Sequence, residues 1–251
     1  MNKLNCFGFG KVSLLALALF SSLALLQAKP PVKELVLYFP LDTIGQTQIK
    51  DFSGQHNNGE ATAIVVSNSP SLVSMQQTRQ LTIAVWIKPA SVPYEFPVVV
   101  SKGGNAPPGA YGGYELLLNA NGDNDLVFTS GTCEITTGGA NGRWVNNHLG
   151  EWIHVAFTIN DTNKTAKFYV NGLPTNDEID YGTYFSSSAN LNFDLPNNLY
   201  VGSPDPASNA NRPKFDGSMR ELMIFNRALT ASEIQKVFTS SKLLPKKSKP
   251  E

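Results

Sequence analysis

Cysteine is scarce, with two in 251 residues. Cys6 lies in the leader described below, and Cys133 alone cannot close an intramolecular disulfide. Its flanks lack Cys-x-x-Cys spacing, so it reads as a small buried hydrophobe and not a nucleophile. Charge is also scarce. Charged residues make up 16%, with 20 basic against 20 acidic. That balance excludes a coiled coil, a basic nucleic-acid binder and a charge-driven disordered chain. The three histidines, His56, His148 and His154, lack ligand spacing. Alternation places His154 on the outer face of a strand beside Trp152, as a packing or hydrogen-bonding residue. No Gly-x-Ser-x-Gly, His-Glu-x-x-His, phosphate loop or dinucleotide fingerprint occurs after the leader, which argues against a hydrolase triad, a zinc protease and a nucleotide enzyme.

One uncharged run stands out. Lys3 and Lys11 precede Val12–Ala28, 17 residues without a charge. This is the pattern of a secretory signal peptide, residues 1–28, with cleavage after Ala24 or Ala28. The run is shorter than the ~20 residues a spanning helix needs, and Lys29-Pro30-Pro31 would stop any helix. The expected location is secreted: extracellular, periplasmic or in the cell envelope. Residues 242–251 (KLLPKKSKPE) carry four Lys and one Glu and read as a disordered basic tail. The body, residues 34–241, holds 12 basic and 19 acidic residues, net −7.

What the chain does have is turns and alternation. Twenty Gly and 16 Pro punctuate it. Leu81, Ile83, Val85 and Ile87 share one face, with Thr82, Ala84, Trp86 and Lys88 on the other. Ile153, Val155, Phe157 and Ile159 repeat the pattern. These are half-buried antiparallel strands. Further strands are expected at 35–41, 98–101, 114–119, 126–129, 164–170, 199–201 and 219–225. Turn signals separate them at Asn58-Gly59, Asn121-Gly122, Asn141-Gly142 and Asn171-Gly172, and Asp161-Thr162-Asn163 joins two strands as a hairpin. Thr230-x-x-Glu233 is a capping box opening one short helix with Ile234, Val237 and Phe238 as its apolar stripe. The sum is an all-β, two-sheet antiparallel sandwich with one C-terminal helix. It forms one domain, residues 29–241, large enough to fold without disulfides. Long turn-rich stretches are expected at 103–113, 131–149, 174–198 and 203–215.

The order of motifs resembles the laminin-G-like, concanavalin A-like lectin/glucanase jelly roll. The residues that carry the likeness are Leu37-Tyr38-Phe39-Pro40-Leu41-Asp42, then Asp51-Phe52-Ser53-Gly54 with Asn57-Asn58-Gly59. Leu81 to Pro89, Ser101-Lys102-Gly103-Gly104 and Tyr114-Glu115-Leu116 follow. Gly150 to Phe157 and Lys167 to Gly172 are the most specific. Leu199 to Gly202 and Phe215 to Leu229 close the series. The resemblance implies a curved jelly roll that recognises glycans or partner proteins at its concave face or rim, sometimes with a structural calcium ion. It does not imply catalysis. Asp42, Asn57 and Asn58 are the candidate calcium ligands. Where family members often carry an acid near the end of the last strand, this chain has Arg220, which removes a carboxylate and adds a cation.

Two carboxylate patterns look catalytic or metal-binding and fall short. Asp177-Glu178-Ile179-Asp180 resembles the Glu-x-Asp-x-x-Glu of β-glucan hydrolases, but the third place is Thr183, so no general acid remains. Asn119, Asn121, Asp123 and Asp125 mimic the start of an EF-hand loop, without its Gly and Glu positions. The better functional candidates are loop aromatics. Tyr111, Trp144, Tyr181 and Tyr184, interleaved with Asn146, offer flat apolar platforms beside polar groups, as a sugar requires. Trp86, Phe157 and Phe168 lie in strands and read as packing. The expected function is a secreted, non-catalytic module that binds polysaccharide or cell-surface glycan. The alternative is an adhesion domain for a cell-surface or matrix protein.

Overall fold

A computed structural model describes residues 33–41, 48–60, 64–92, 96–105, 111–118, 126–131, 133–136, 148–175, 179–180, 191–207 and 211–241. The leader, the basic tail, Asn121-Gly122 and Asn141-Gly142 lie outside them. In chain order the strands are β1 (Leu35–Phe39), β2 (Gln48–Ile49), β3 (Gly59–Glu60), β4 (Ile64–Val66), β5 (Gln80–Pro89), β6 (Val98–Asn105), β7 (Tyr111–Leu118) and β8 (Leu126–Ser130). Then come β9 (Cys133–Thr136), β10 (Ile153–Asn160), β11 (Thr165–Val170), β12 (Leu173–Pro174), β13 (Ile179–Asp180), β14 (Leu199–Val201) and β15 (Gly217–Phe225). Among the described residues two α-helices occur, α1 (Met75–Thr78) and α2 (Ala231–Thr239), with a short 3-10 turn at Ser71–Val73 before the first.

The strands form two antiparallel sheets. One has seven strands, ordered β1-β15-β5-β10-β11-β12 with β13 also paired to β11; the other has eight, ordered β2-β3-β4-β14-β6-β7-β8-β9. The two-sheet sandwich expected from alternation is present, with its helix at the C-terminus. Between the sheets lies one core. Leu81, Ile83, Val85, Ile87, Ile153, Val155, Phe157 and Ile159 meet Val100, Leu116, Phe128 and Ile135 there. Phe128 stacks on Phe157 across the gap, ring centroids 4.2 Å apart. Period-2 alternation fixes this register, because a slip of one residue would turn every apolar side chain outward.

Local chemistry explains the connections. Asn171 (φ 49°) and Gly172 (φ 78°) both take positive φ between β11 and β12, as a tight primed turn requires. Asn58-Gly59 is not a turn: Gly59 opens β3, and the sharp positions are Gly54 (φ 89°) and His56 (φ 60°). The stretch 103–113 is not wholly loop either. Both β6 and β7 extend through it, with Gly103 opposite Gly113. The very short strands β2, β3, β4, β12 and β13 carry too little pattern to be read from sequence. The expected helix is α2, and its capping box is formed: Thr230 accepts from the Glu233 amide and Glu233 accepts from the Thr230 amide.

Candidate functional site

The outer face of the eight-stranded sheet carries a polar row. Register sets Gln48, Glu60, Val65, Tyr200, Ser101, Glu115, Thr129 and Glu134 side by side across all eight strands. Each alternates with core residues such as Val100, Leu116 and Phe128, so the row points away from the core. Its centre is buried: Ser101 is 0% and Glu115 1% exposed. Its flanks, Glu60 and Glu134, are exposed, with Tyr200 and Thr129 between.

Glu115 is the hub. Its Oε1 accepts from Ser101 Oγ at 2.9 Å and its Oε2 from Thr129 Oγ1 at 3.3 Å. The Arg212 guanidinium stands 3.5 Å from Oε2 and lies over the Phe96 ring, 5.4 Å from its centroid. The 211–215 segment is held there by backbone bonds, Val98 N to Pro213 O and Phe215 N to Gly202 O. Beside the row, Val98, Leu117 and Val127 form a small apolar cluster with Phe96. The face therefore pairs a satisfied polar strip with an apolar, partly aromatic neighbour.

A second fixture closes one end of this sheet. Lys102 is fully buried, and its Nζ donates to Asn68 Oδ1, Leu195 O and Asn197 O at 2.7–2.8 Å. Burial lowers its pKa to about 8, partly offset by Asp194 and Asp205. Asp205, 2% exposed, accepts from Asn197 Nδ2 and the Ala207 amide. Leu195 presses onto the β6–β7 glycines: a Cβ at Gly112 would sit 2.8 Å from it, and one at Gly113 (φ 82°) 1.7 Å from Lys102 O. The Ser-Lys-Gly-Gly motif thus serves to dock the 194–198 segment. Burial also raises the Tyr200 pKa, with Asp205 adding to the effect.

Of the sequence-predicted site residues, Tyr111 opens β7 opposite Asn105, at the end of this same sheet. Trp144, Asn146, Tyr181, Tyr184 and Asp42 lie outside the described residues, as do Glu178, Asn119, Asn121, Asp123 and Asp125. The two asparagines are described, and both are engaged. Asn57 Nδ2 donates to Val36 O and Ser71 Oγ, while its Oδ1 accepts from Ser69 Oγ at 2.6 Å. Asn58 Oδ1 accepts from the Asp51 amide. Asp51 in turn takes four hydrogen bonds, from the Tyr38, Ser53 and Asn57 amides and from Ser53 Oγ. Each asparagine oxygen thus accepts one hydrogen bond within the protein and keeps a second lone pair. Among the described residues no group of three His, Cys, Asp or Glu side chains converges as metal ligands would. Sequence reading missed Glu115 and Arg212 as a pair. A glutamate inside the apolar run Tyr114-Glu115-Leu116-Leu117-Leu118 was the available signal, because a charge there must face a partner.

The model of the family described as the concanavalin A-like lectin/glucanases superfamily matches residues 58–235, well over half of the chain. The chain belongs to that superfamily. No curated protein matches it in sequence. Several solved structures share its fold. The receptor binding domain of botulinum neurotoxin C/D mosaic serotype superposes with a TM-score of 0.57 at 12% identity, over 85% of this chain and 52% of that one. Trypanosoma rangeli sialidase gives 0.56 at 17%, over 86% and 34%. Botulinum neurotoxin type C, which depends on interaction with two ganglioside molecules to enter cells, gives 0.53 at 14%, over 83% and 51%. The chain thus spans about a third of the sialidase and about half of the toxin chains. At these identities the likeness is one of fold.

Proposed function

We propose that the protein is a secreted, non-catalytic module that binds polysaccharide or cell-surface glycan at the outer face of its eight-stranded sheet. The observation that carries this reading is the polar row whose solvent-reaching members, Glu60, Tyr200, Thr129 and Glu134, flank the buried Ser101 and Glu115, with the half-buried Phe96 beside them. Sugars combine hydroxyls, which need fixed polar partners, with apolar C–H faces, which need flat surface. Membership of a lectin/glucanase superfamily supports it, and so does the ganglioside dependence of a toxin that shares the fold. The absence of a third carboxylate after Glu178 and Asp180 supports a binder over a hydrolase. The charge-free leader supports export.

The test is retention of the protein on a panel of immobilised polysaccharides, with calcium and with chelator. Retention on a defined glycan is expected. Tyr111→Ala, Trp144→Ala and Tyr200→Ala should each weaken it about 10-fold, the loss of one stacking or hydrogen-bonding contact, with little change in melting temperature. Loss of retention with chelator would put a metal at the site. No retention on any glycan would overturn the reading in favour of a protein partner.

A further inference from the structure

The outer face of the seven-stranded sheet changes character along its strands. Beneath α2 it is apolar. Toward the Pro89 and Gly217 ends it carries Lys88, Ser218, Arg220 and Trp152. Lys88 pairs with Ser218 across β5 and β15, and Arg220 with Trp86. Ile153 pairs with Ile87, so Trp152 lies beside Lys88 on the other flank. Arg220 reaches toward that flank, its guanidinium carbon 5.5 Å from the Trp152 ring centroid.

A guanidinium over an aromatic ring is restrained by the ring's π face without using any of its N–H donors in a hydrogen bond. Among the described residues nothing takes them up: Arg220 has no hydrogen bond and no ion pair there, and Lys88 is exposed and has none either. The carboxylates nearby are otherwise placed. Glu151 is exposed and has no ion pair among the described residues, Asp216 accepts from Ser91 Oγ at 2.5 Å, and Glu221 is 8% exposed at the bulge after Arg220. Lys88 and Arg220 occupy diagonal cross-strand positions, where like charges repel. Their body carries 12 basic residues against 19 acidic. Two adjacent cations without a counter-charge among the described residues are out of keeping with so acidic a surface, unless an external anion completes them.

We propose that Arg220, Lys88 and Trp152 form a subsite for the carboxylate of an acidic saccharide. The planar fork of Arg220 matches a carboxylate bidentately, and Lys88 adds a second charge. Trp152, half-buried, holds the guanidinium and stands beside the sugar ring, with the exposed Ser218 hydroxyl on the same row. That the carboxylate is borne by a saccharide rests on the glycan reading above. The subsite shares no residue with the polar row on the other sheet.

The experiment titrates the protein with trigalacturonate against neutral galactotriose, and with sialyllactose against lactose, by calorimetry at low and high salt. The two pairs tell a uronate from a sialate as the source of the carboxylate. The acidic member of at least one pair should bind more tightly, and more weakly as salt rises. Arg220→Gln should lower that affinity about 10-fold or more, and Arg220→Lys should restore little of it, since the fork is lost. If Arg220→Gln fails to fold, the exposed Lys88→Gln carries the same test. Equal affinity for acidic and neutral members, or an acidic affinity untouched by both variants, overturns the subsite. So does a preference for a sulfated sugar over both carboxylates. If neutral polysaccharides bind through Tyr111 and Trp144 while the acidic preference is missing, this inference fails alone. If no saccharide binds, the glycan reading fails with it.

Discussion

The two sheets share one core but treat their outer faces in opposite ways. On the seven-stranded sheet, Ala84, Ala156, Tyr169, Met223 and Phe225 face outward and are sealed by Leu229, Ile234 and Val237 from α2 and the turn before it. Trp86 stacks on Phe238 at 5.5 Å, and His154 sits against both rings. On the eight-stranded sheet, the equivalent face carries Tyr200, Ser101, Glu115 and Thr129, satisfied within the protein and reaching toward solvent at the flanks. The contrast separates roles. An apolar outer face must be covered, and the chain keeps a helix for it. A polar outer face can stay open at its flanks, where Glu60, Tyr200, Thr129 and Glu134 reach solvent, and that is what a ligand surface needs.

The largest effect that would sharpen this contrast is at the cover. Ile234, on the inner side of α2, is fully buried. Ile234→Ala should cost about 2–5 kcal/mol by cavity formation, whereas Thr129→Ala on the open face should cost about 1 kcal/mol or less, measured by urea unfolding. Comparable losses would mean that both faces are structural.

The next effect is pH. His154 is 1% exposed with neither ring nitrogen hydrogen-bonded, and burial lowers its pKa from 6.5 to about 3. The folded state therefore binds fewer protons than the unfolded chain below pH 6.5. Stability is full above that pH and falls as the medium acidifies toward about 3, at up to about 1.4 kcal/mol per pH unit. Glu233, lowered to about 2 mainly by its hydrogen bonds from Arg227, adds a similar loss, but only below about pH 4.5. Between pH 6.5 and 4.5 the slope should therefore vanish in His154→Leu. An unchanged slope in that variant would show that His154 does not stay neutral under α2.

The smallest effect is at the helix cap. Thr230→Ala removes the side-chain half of the capping box and should cost about 1 kcal/mol, seen as a small drop in melting temperature. A much larger drop would mean that α2 and the apolar face beneath it unfold as one unit with the sandwich.

Much of the fold was legible because its signals are local. The alternation of Leu81 to Ile87 and of Ile153 to Ile159, the Asn171-Gly172 turn and the Thr230/Glu233 box each declare themselves within a few residues. The His154 environment was half legible. Alternation placed it on the outer face with Trp86, yet nothing local announced that Phe238 would close over both. The hydrogen-bond partners of Asn57 and Asn58, which are Val36, Ser69, Ser71 and Asp51, come together only in the fold.

By itself the sequence determined that this chain is a two-sheet sandwich closed by one capped helix, because backbone periodicity and turn chemistry are properties of neighbouring residues. Only the tertiary structure decided which charges meet. Glu115 and Arg212 face each other, as do Lys102 and the 194–198 carbonyls and Arg220 and Trp152, across separations of tens to about a hundred residues. The energy of a charge depends on its burial and its nearest partners, and those are set by sheet register, not by order along the chain.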